Sequence, residues 1–198
     1  MPKIDHDGVT IHYEVFGKGK PIVLVHGFAS SLQDNWVNTG WIDTLTPVRQ
    51  VVALDCRGHG ESQKPHDPEA YAGDAMCDDV IAVMDHLDIA RADLFGYSMG
   101  GGVALRLLAA HPKRFAEELQ ALAALRGASE PRASGGLGLA SLTPPVLIVN
   151  GENDHAVGSP HPIALRIPNA TLIWIPDSDH LTVVSDQRFK DAVLDFLA

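Results

Sequence analysis

Asp93-Leu94-Phe95-Gly96-Tyr97-Ser98-Met99-Gly100-Gly101-Gly102 carries a short apolar run into one serine and then into a string of small residues. Gly96-x-Ser98-x-Gly100 is the pattern of a sharp strand-to-helix turn, where side chains at the two glycines would collide with neighbouring backbone. Such a turn lifts the Ser98 hydroxyl above the edge of a sheet. The next residue, Met99, then opens a helix, so its amide is among the first N–H groups without an intrahelical acceptor and can donate to an oxyanion. A nucleophile candidate and a donor candidate are therefore adjacent in sequence.

Upstream, Ile22-Val23-Leu24-Val25 is a continuous apolar run, as in a strand covered on both faces, and it ends in His26-Gly27-Phe28. Glycine there lets backbone approach another group closely and turns the Phe28 amide into a second oxyanion donor candidate. Val9 to Phe16 alternates and is rich in β-branched and aromatic residues, which predicts a strand paired with residues 2–6 across the Asp7-Gly8 turn. Trp36 and Trp41 follow in a loop, as core anchors or as pocket walls. Gln50 to Leu54 is the next buried strand and leads into Asp55-Cys56-Arg57-Gly58-His59-Gly60-Glu61-Ser62. Asp55 and Arg57 are expected to brace this loop as a hydrogen-bonded ion pair. His59 is a pocket candidate or a solvated loop residue. Between Asp74 and Ile89 the apolar residues Met76, Val80, Val83, Met84 and Leu87 fall on one helix face. The buried helix after Ser98 runs to Ala110, where His111-Pro112 stops it.

Strands alternating with helices at these spacings imply parallel βαβ units and an α/β, doubly wound, mostly parallel sheet. Ligands bind such sheets at the carboxyl ends of the strands, where Phe28, the Asp55 loop and Ser98 all fall. Val146-Leu147-Ile148-Val149 is another strand and delivers Asp154 to the same edge; Thr171 to Ile175 is followed by Asp179-His180, and Val183 to Leu197 closes as a helix. A serine hydroxyl needs a general base, and the base needs an acceptor that fixes its tautomer. Ser98, Asp154 and His180 supply these three roles in the chain order serine, acid, histidine.

With 198 residues, 15 Lys+Arg against 25 Asp+Glu and a formal net charge of −10, the chain reads as one domain, 1–198, and its charge argues against nucleic acid and anionic membrane partners. A neutral small molecule fits better. Cys56 and Cys77 have no metal-ligand or redox spacing and read as buried thiols, so no metal and no cofactor is expected. Met1 to Gly8 lacks the apolar segment of a signal peptide, which makes the cytoplasm the expected compartment.

These residues together resemble the α/β-hydrolase superfamily, close to small esterases and lactonases. The similarity covers 1–115 and 142–198, through His26-Gly27-Phe28, Asp55-x-Arg57-Gly58-His59-Gly60-x-Ser62, Gly96-Tyr97-Ser98-Met99-Gly100-Gly101, Gly151-x-x-Asp154 and Asp179-His180. The resemblance implies Ser98 as nucleophile, Asp154 as acid, His180 as base and the Phe28 and Met99 amides as the oxyanion hole. Serine at the turn speaks against the relatives with aspartate there, haloalkane dehalogenases and epoxide hydrolases. The implied activity is that of a serine carboxylesterase on small or short-acyl esters. Lactone hydrolysis and carbon–carbon bond hydrolysis are the alternatives, and a minimised scaffold without turnover is the alternative of another class.

The middle departs from the family. Phe115, Leu119, Leu122 and Arg126 give a helical stripe, and 127–141 has linker composition, so 116–141 is expected to be a shortened helix plus linker in place of the sixth strand and the cap domain. The strand at 145–149 would then fill the empty slot and displace Asp154 by about one strand spacing of 4.8 Å, or a second copy would donate a strand and make a homodimer.

Overall fold

The computed structural model describes residues 1–115, 138–155 and 159–198, and the backbone pairing of 121–125. In chain order the elements are β1 (Lys3–His6), β2 (Val9–Phe16), β3 (Pro21–Val25), α1 (Trp41–Leu45), β4 (Gln50–Leu54), α2 (Ala75–His86), β5 (Asp93–Ser98), α3 (Met99–Ala110), α4 (Pro112–Phe115), β6 (Ala121–Leu125), β7 (Val146–Gly151), α5 (His161–Ala164), β8 (Ala170–Ile175) and α6 (Gln187–Leu197). The opening hairpin has its expected register, Lys3 opposite His12, and Asp7 (φ 51°) and Gly8 (φ 76°) both take the left-handed conformation of a two-residue hairpin turn. An eight-stranded sheet results, in the order β1-β2-β4-β3-β5-β6-β7-β8. The β1–β2 and β2–β4 pairs are antiparallel and every later pair is parallel.

The expected loss of the sixth strand is corrected by the structure. Ala121–Leu125 is β6, parallel to β5 with Leu94 opposite Ala121 and parallel to β7 with Ala121 opposite Val146. A gap there would strand unpaired N–H and C=O groups inside the sheet, and satisfying two ladders outweighs the weak strand propensity of Ala-Leu-Ala-Ala-Leu. It follows that β7 keeps its place two strands from Ser98, Asp154 is not displaced, and the chain fills the slot without a second copy. Of the rest of the expected helix and linker, 116–120 and 126–137 lie outside the described residues, and at its end Leu139–Ser141 form a short 3-10 turn with Leu139 buried, not an open linker. Between Leu125 and Gly138 the chain is far shorter than a domain, so no cap domain is inserted before β7.

Helices cover both faces of the sheet. One face packs Val23, Val25, Leu94, Ile148 and others against α2 and α3, through Val80, Val83, Met84, Leu105 and Leu108. On the other face Phe95 takes Trp36, Trp41 and Phe189 edge-on or tilted, with ring centroids 4.9, 4.7 and 5.8 Å away. Both tryptophans are completely buried, so they are core anchors, set in short helical turns and not in an open loop. The Trp41 indole donates to the Val184 carbonyl at 2.6 Å, which fastens α1 to the chain just before α6. Cys56 and Cys77 are buried as expected, and burial pushes the Cys77 thiol up to about 12.

The expected Asp55–Arg57 ion pair does not form. The Arg57 guanidinium makes a two-pronged pair with Asp79 on α2, 2.7 Å on each arm, while Asp55 accepts from the Leu32 amide (2.7 Å), the Glu61 amide (2.8 Å) and His12 Nδ1 (2.8 Å). Each side chain still braces the loop after β4, but to a different neighbour. Burial alone would raise the Asp55 carboxyl; the hydrogen bonds from Leu32, Glu61 and His12 outweigh it and hold it below the usual range. A folded-state value below the unfolded one stabilises the protein above the unfolded value, and this contribution disappears as pH falls through the folded one. Asp55→Asn leaves buried donors unmatched and is expected to cost roughly 2–3 kcal/mol near neutrality, read as a lower urea midpoint, with a smaller penalty in acid.

Candidate active site

Ser98 ends β5 with φ 54° and ψ −113°, strained for a residue with a side chain, and α3 starts at the next residue. The glycines around it permit this geometry. A Cβ on Gly96 would lie 2.2 Å from the Gly100 carbonyl oxygen, and one on Gly100 would lie 1.9 Å from the Val25 oxygen, so neither position accepts a side chain without moving backbone. The turn thus packs directly on the end of β3, and the Gly27 position lies against the Ser98 side chain.

His180 and Asp154 reach this turn through a second close approach. At the end of β7 a Cβ on Gly151 would meet the Ser178 carbonyl at 2.4 Å, and the Asn153 amide donates to that same carbonyl at 2.9 Å. This contact draws the loop after β8 onto the loop after β7. His180 Nδ1 then lies 2.7 Å from Asp154 Oδ2, and His180 Nε2 lies 3.0 Å from Ser98 Oγ. A carboxylate only accepts, so Nδ1 carries the proton and Nε2 turns its lone pair to the serine hydroxyl, which donates. All three expected side chains are therefore joined in one hydrogen-bonded line. Asp154 is buried, and its Oδ1 has no hydrogen-bond partner among the described residues.

The two backbone candidates are close by. Met99 is the first residue of α3, and Phe28 follows the Gly27 that touches the Ser98 turn. Neither amide donates to a backbone carbonyl among the described residues. The Phe28 ring is exposed and meets His59 edge-on at 5.8 Å; His59 in turn meets the buried His26 at 5.2 Å. His26 is a structural link: Nδ1 donates to the Gly27 carbonyl at 2.7 Å and Nε2 accepts the Cys56 amide at 3.0 Å, and burial lowers its pKa against the smaller opposing effect of the Gly27 bond. His26 thereby ties the loop bearing Phe28 to the start of the Asp55 loop.

Tyr97 is the residue that the sequence pattern leaves unspecified. Its ring stacks on the His180 imidazole, 5.5 Å between centroids and 20° between planes, and its hydroxyl donates to the His180 carbonyl. Burial and the nearby Asp154 and Asp179 carboxylates push the phenol pKa up, so it remains a donor. Asp179 closes the other side of the loop, accepting from the Thr182 amide and hydroxyl and from the Leu181 amide, which hold its carboxyl below the usual range. Tyr97→Phe keeps the stack and loses the hydrogen bond, worth about 1 kcal/mol. Turnover of an aryl acetate is expected to fall about fivefold in kcat with KM little changed; steady-state kinetics reads the split.

Parallel strands fed by helices, the serine turn between β5 and α3, and an acid and a histidine from the ends of β7 and β8 define this chain as a member of the α/β-hydrolase superfamily. Residues 20–117 match the family described as alpha/beta hydrolase fold. The chain is similar to the dihydrolipoyllysine-residue acetyltransferase component of the acetoin cleaving system of Pseudomonas putida, 44% identical over 105 residues, covering 52% of this chain and 27% of that protein. To the 2-hydroxymuconate semialdehyde hydrolase of Pseudomonas sp. (strain CF600) it is 36% identical over 108 residues, covering 54% of this chain and 38% of that protein. The chain thus spans less than half the length of the curated relatives it matches. Among solved structures, the enol-lactonase of Burkholderia xenovorans LB400 shares the fold with a TM-score of 0.84 at 22% identity, over 99% of each chain. Among the described residues no helix is long and apolar enough to cross a membrane.

Proposed function

We infer that the chain is a serine hydrolase of carboxylic esters that works through an acyl-enzyme on Ser98. The observation that carries this reading is the line Ser98 Oγ, His180 Nε2 and Nδ1, Asp154 Oδ2, at 3.0 and 2.7 Å. His180 takes the hydroxyl proton as Ser98 Oγ attacks the ester carbonyl, and the Phe28 and Met99 amides receive the oxyanion. Collapse of that intermediate expels the alcohol, which leaves with the proton from His180. Water then attacks the acyl group, giving its proton to His180, and the acid departs as Ser98 regains its hydrogen. Asp154 holds the tautomer and faces the imidazolium throughout. Phe28 acts here through its backbone amide.

Small neutral esters with short acyl groups fit a site with no cap domain and a chain of net charge −10. Carbon–carbon bond hydrolysis is a second reading, favoured by the similarity to a 2-hydroxymuconate semialdehyde hydrolase. A burst experiment with an aryl acetate, followed by mass spectrometry of the acylated peptide, tests the first. A burst with the acetyl group on Ser98 is the expected result; turnover of a ring-opened diketone without ester turnover would favour the second reading, and no burst from folded protein would refute the acyl-enzyme.

A further inference from the structure

The sheet ends in two strands of opposite character. β1 is four residues long and carries Lys3, Asp5 and His6, charges of the kind that keep an edge from pairing with another chain. β8 is six residues long, and its sequence Ala-Thr-Leu-Ile-Trp-Ile holds no charge and no proline. Its register on β7 is unbroken from Ala170 to Ile175, so no bulge turns this edge aside either. The Asn169 carbonyl takes the Val146 amide and the Ile175 carbonyl takes the Glu152 amide, so the odd-numbered residues of the strand face β7. Leu172 and Trp174 therefore point both N–H and C=O outward, and Ala170 its carbonyl, while the Ala170 amide is held by the Ile167 carbonyl. Those outward groups have no partner among the described residues.

The flanks of this edge are apolar. Leu165 and Trp174 are exposed, and on the other face a cleft of about 520 Å³ lies between β8 and α6, floored by Leu147, Thr171 and Ile173. Its wall is a stripe of α6, Arg188, Asp191, Ala192, Asp195 and Phe196, spaced three and four residues apart. Arg188 donates to the Pro176 carbonyl at 2.8 Å, so α6 begins at the carboxyl end of β8 and runs back along it. A twofold axis through Leu172, normal to the sheet, pairs this strand antiparallel with a second β8. Leu172 then exchanges both hydrogen bonds with the partner's Leu172, and each Trp174 amide meets the partner's Ala170 carbonyl. Thr171 lies opposite the partner's Ile173, two β-branched residues, and Trp174 opposite the partner's Ala170, large against small. The same operation reverses α6, which turns Arg188 toward the partner's Asp195 and Asp195 toward the partner's Arg188. An edge that matches hydrogen bonds, sizes and charges under one twofold fits a copy of itself better than a foreign strand.

We propose that the β8 edge is a dimer interface, across which two copies of this chain join their eight-stranded sheets into one continuous sheet. None of Ser98, Asp154 and His180 lines the cleft, so association and turnover can fail separately. The test is sedimentation equilibrium of the full chain across the micromolar range, with circular dichroism on the same samples. The expected result is a concentration-dependent species of twice the 21.2 kDa of one copy. Thr171 is exposed, so Thr171→Lys leaves the fold alone and sets a charge against the partner's Ile173; the dissociation constant should rise at least about tenfold. Arg188→Asp should weaken the dimer several-fold, and adding Asp195→Arg to it should restore the parent's constant, since the reversed charges meet again only across the twofold. That charge exchange decides the matter should Thr171→Lys not fold. A monomeric parent, which would leave the edge to a foreign strand, would overturn the proposal. So would an unchanged dissociation constant in folded Thr171→Lys, or a charge exchange without recovery.

Discussion

Ser98→Ala is expected to lower kcat/KM for a short-chain aryl ester by roughly 10⁴–10⁶-fold and to leave no acylated peptide. Among the described residues the hydroxyl makes one hydrogen bond, to His180 Nε2 at 3.0 Å, so removing it leaves the packing of the turn alone. Alanine keeps a Cβ, so the strain of φ 54° is carried over unchanged and the thermal midpoint should move little. The rate that survives would be owed to the Phe28 and Met99 amides, which the substitution does not touch. A loss of tenfold or less in a folded variant would mean that another group attacks the ester, and the acyl-enzyme reading would fall. Circular dichroism with single-turnover kinetics on the same samples separates that outcome from unfolding.

The site was more legible in the sequence than the middle of the fold, for a physical reason. Gly96, Gly100 and Gly151 sit where added Cβ atoms would strike backbone at 2.2, 1.9 and 2.4 Å, so each glycine is fixed by local geometry and shows in the sequence as a motif. Ser98, Asp154 and His180 follow from the same strand ends. β6 was illegible because its conformation is set by its neighbours: Ala121–Leu125 has no alternation and no β-branched residue, and only the ladders of β5 and β7 make it a strand. The Asp55–Arg57 pairing failed for a related reason. Proximity in sequence suggested it, yet Asp79 on α2 offers Arg57 both carboxylate oxygens, and that contact depends on how the helix packs. Tyr97 left one signal, an aromatic residue at the variable position of the serine turn. Its partner His180 lies 83 residues away, a distance no local pattern spans.

Asp154→Asn should be nearly as damaging as loss of the serine, with kcat reduced by about 10⁴-fold although the three side chains stay in place. The amide can face His180 in two ways. With its oxygen toward Nδ1 it preserves the productive tautomer, but then its NH2 takes the place of Oδ1, a buried atom with no partner among the described residues. With its NH2 toward Nδ1 the donor is matched, and an unpaired carbonyl is left in that place, which costs less than an unpaired N–H. The second arrangement is therefore favoured, and it forces the imidazole proton onto Nε2. Nε2 would then meet Ser98 Oγ as a donor, unable to take its proton, and the base would be lost without any displacement of His180. Nitrogen NMR of labelled histidine should find the proton on Nε2 in Asp154→Asn and on Nδ1 in the parent. A parent-like tautomer with the rate still depressed would instead assign Asp154 to stabilising the imidazolium, and a parent-like rate would remove it from the mechanism.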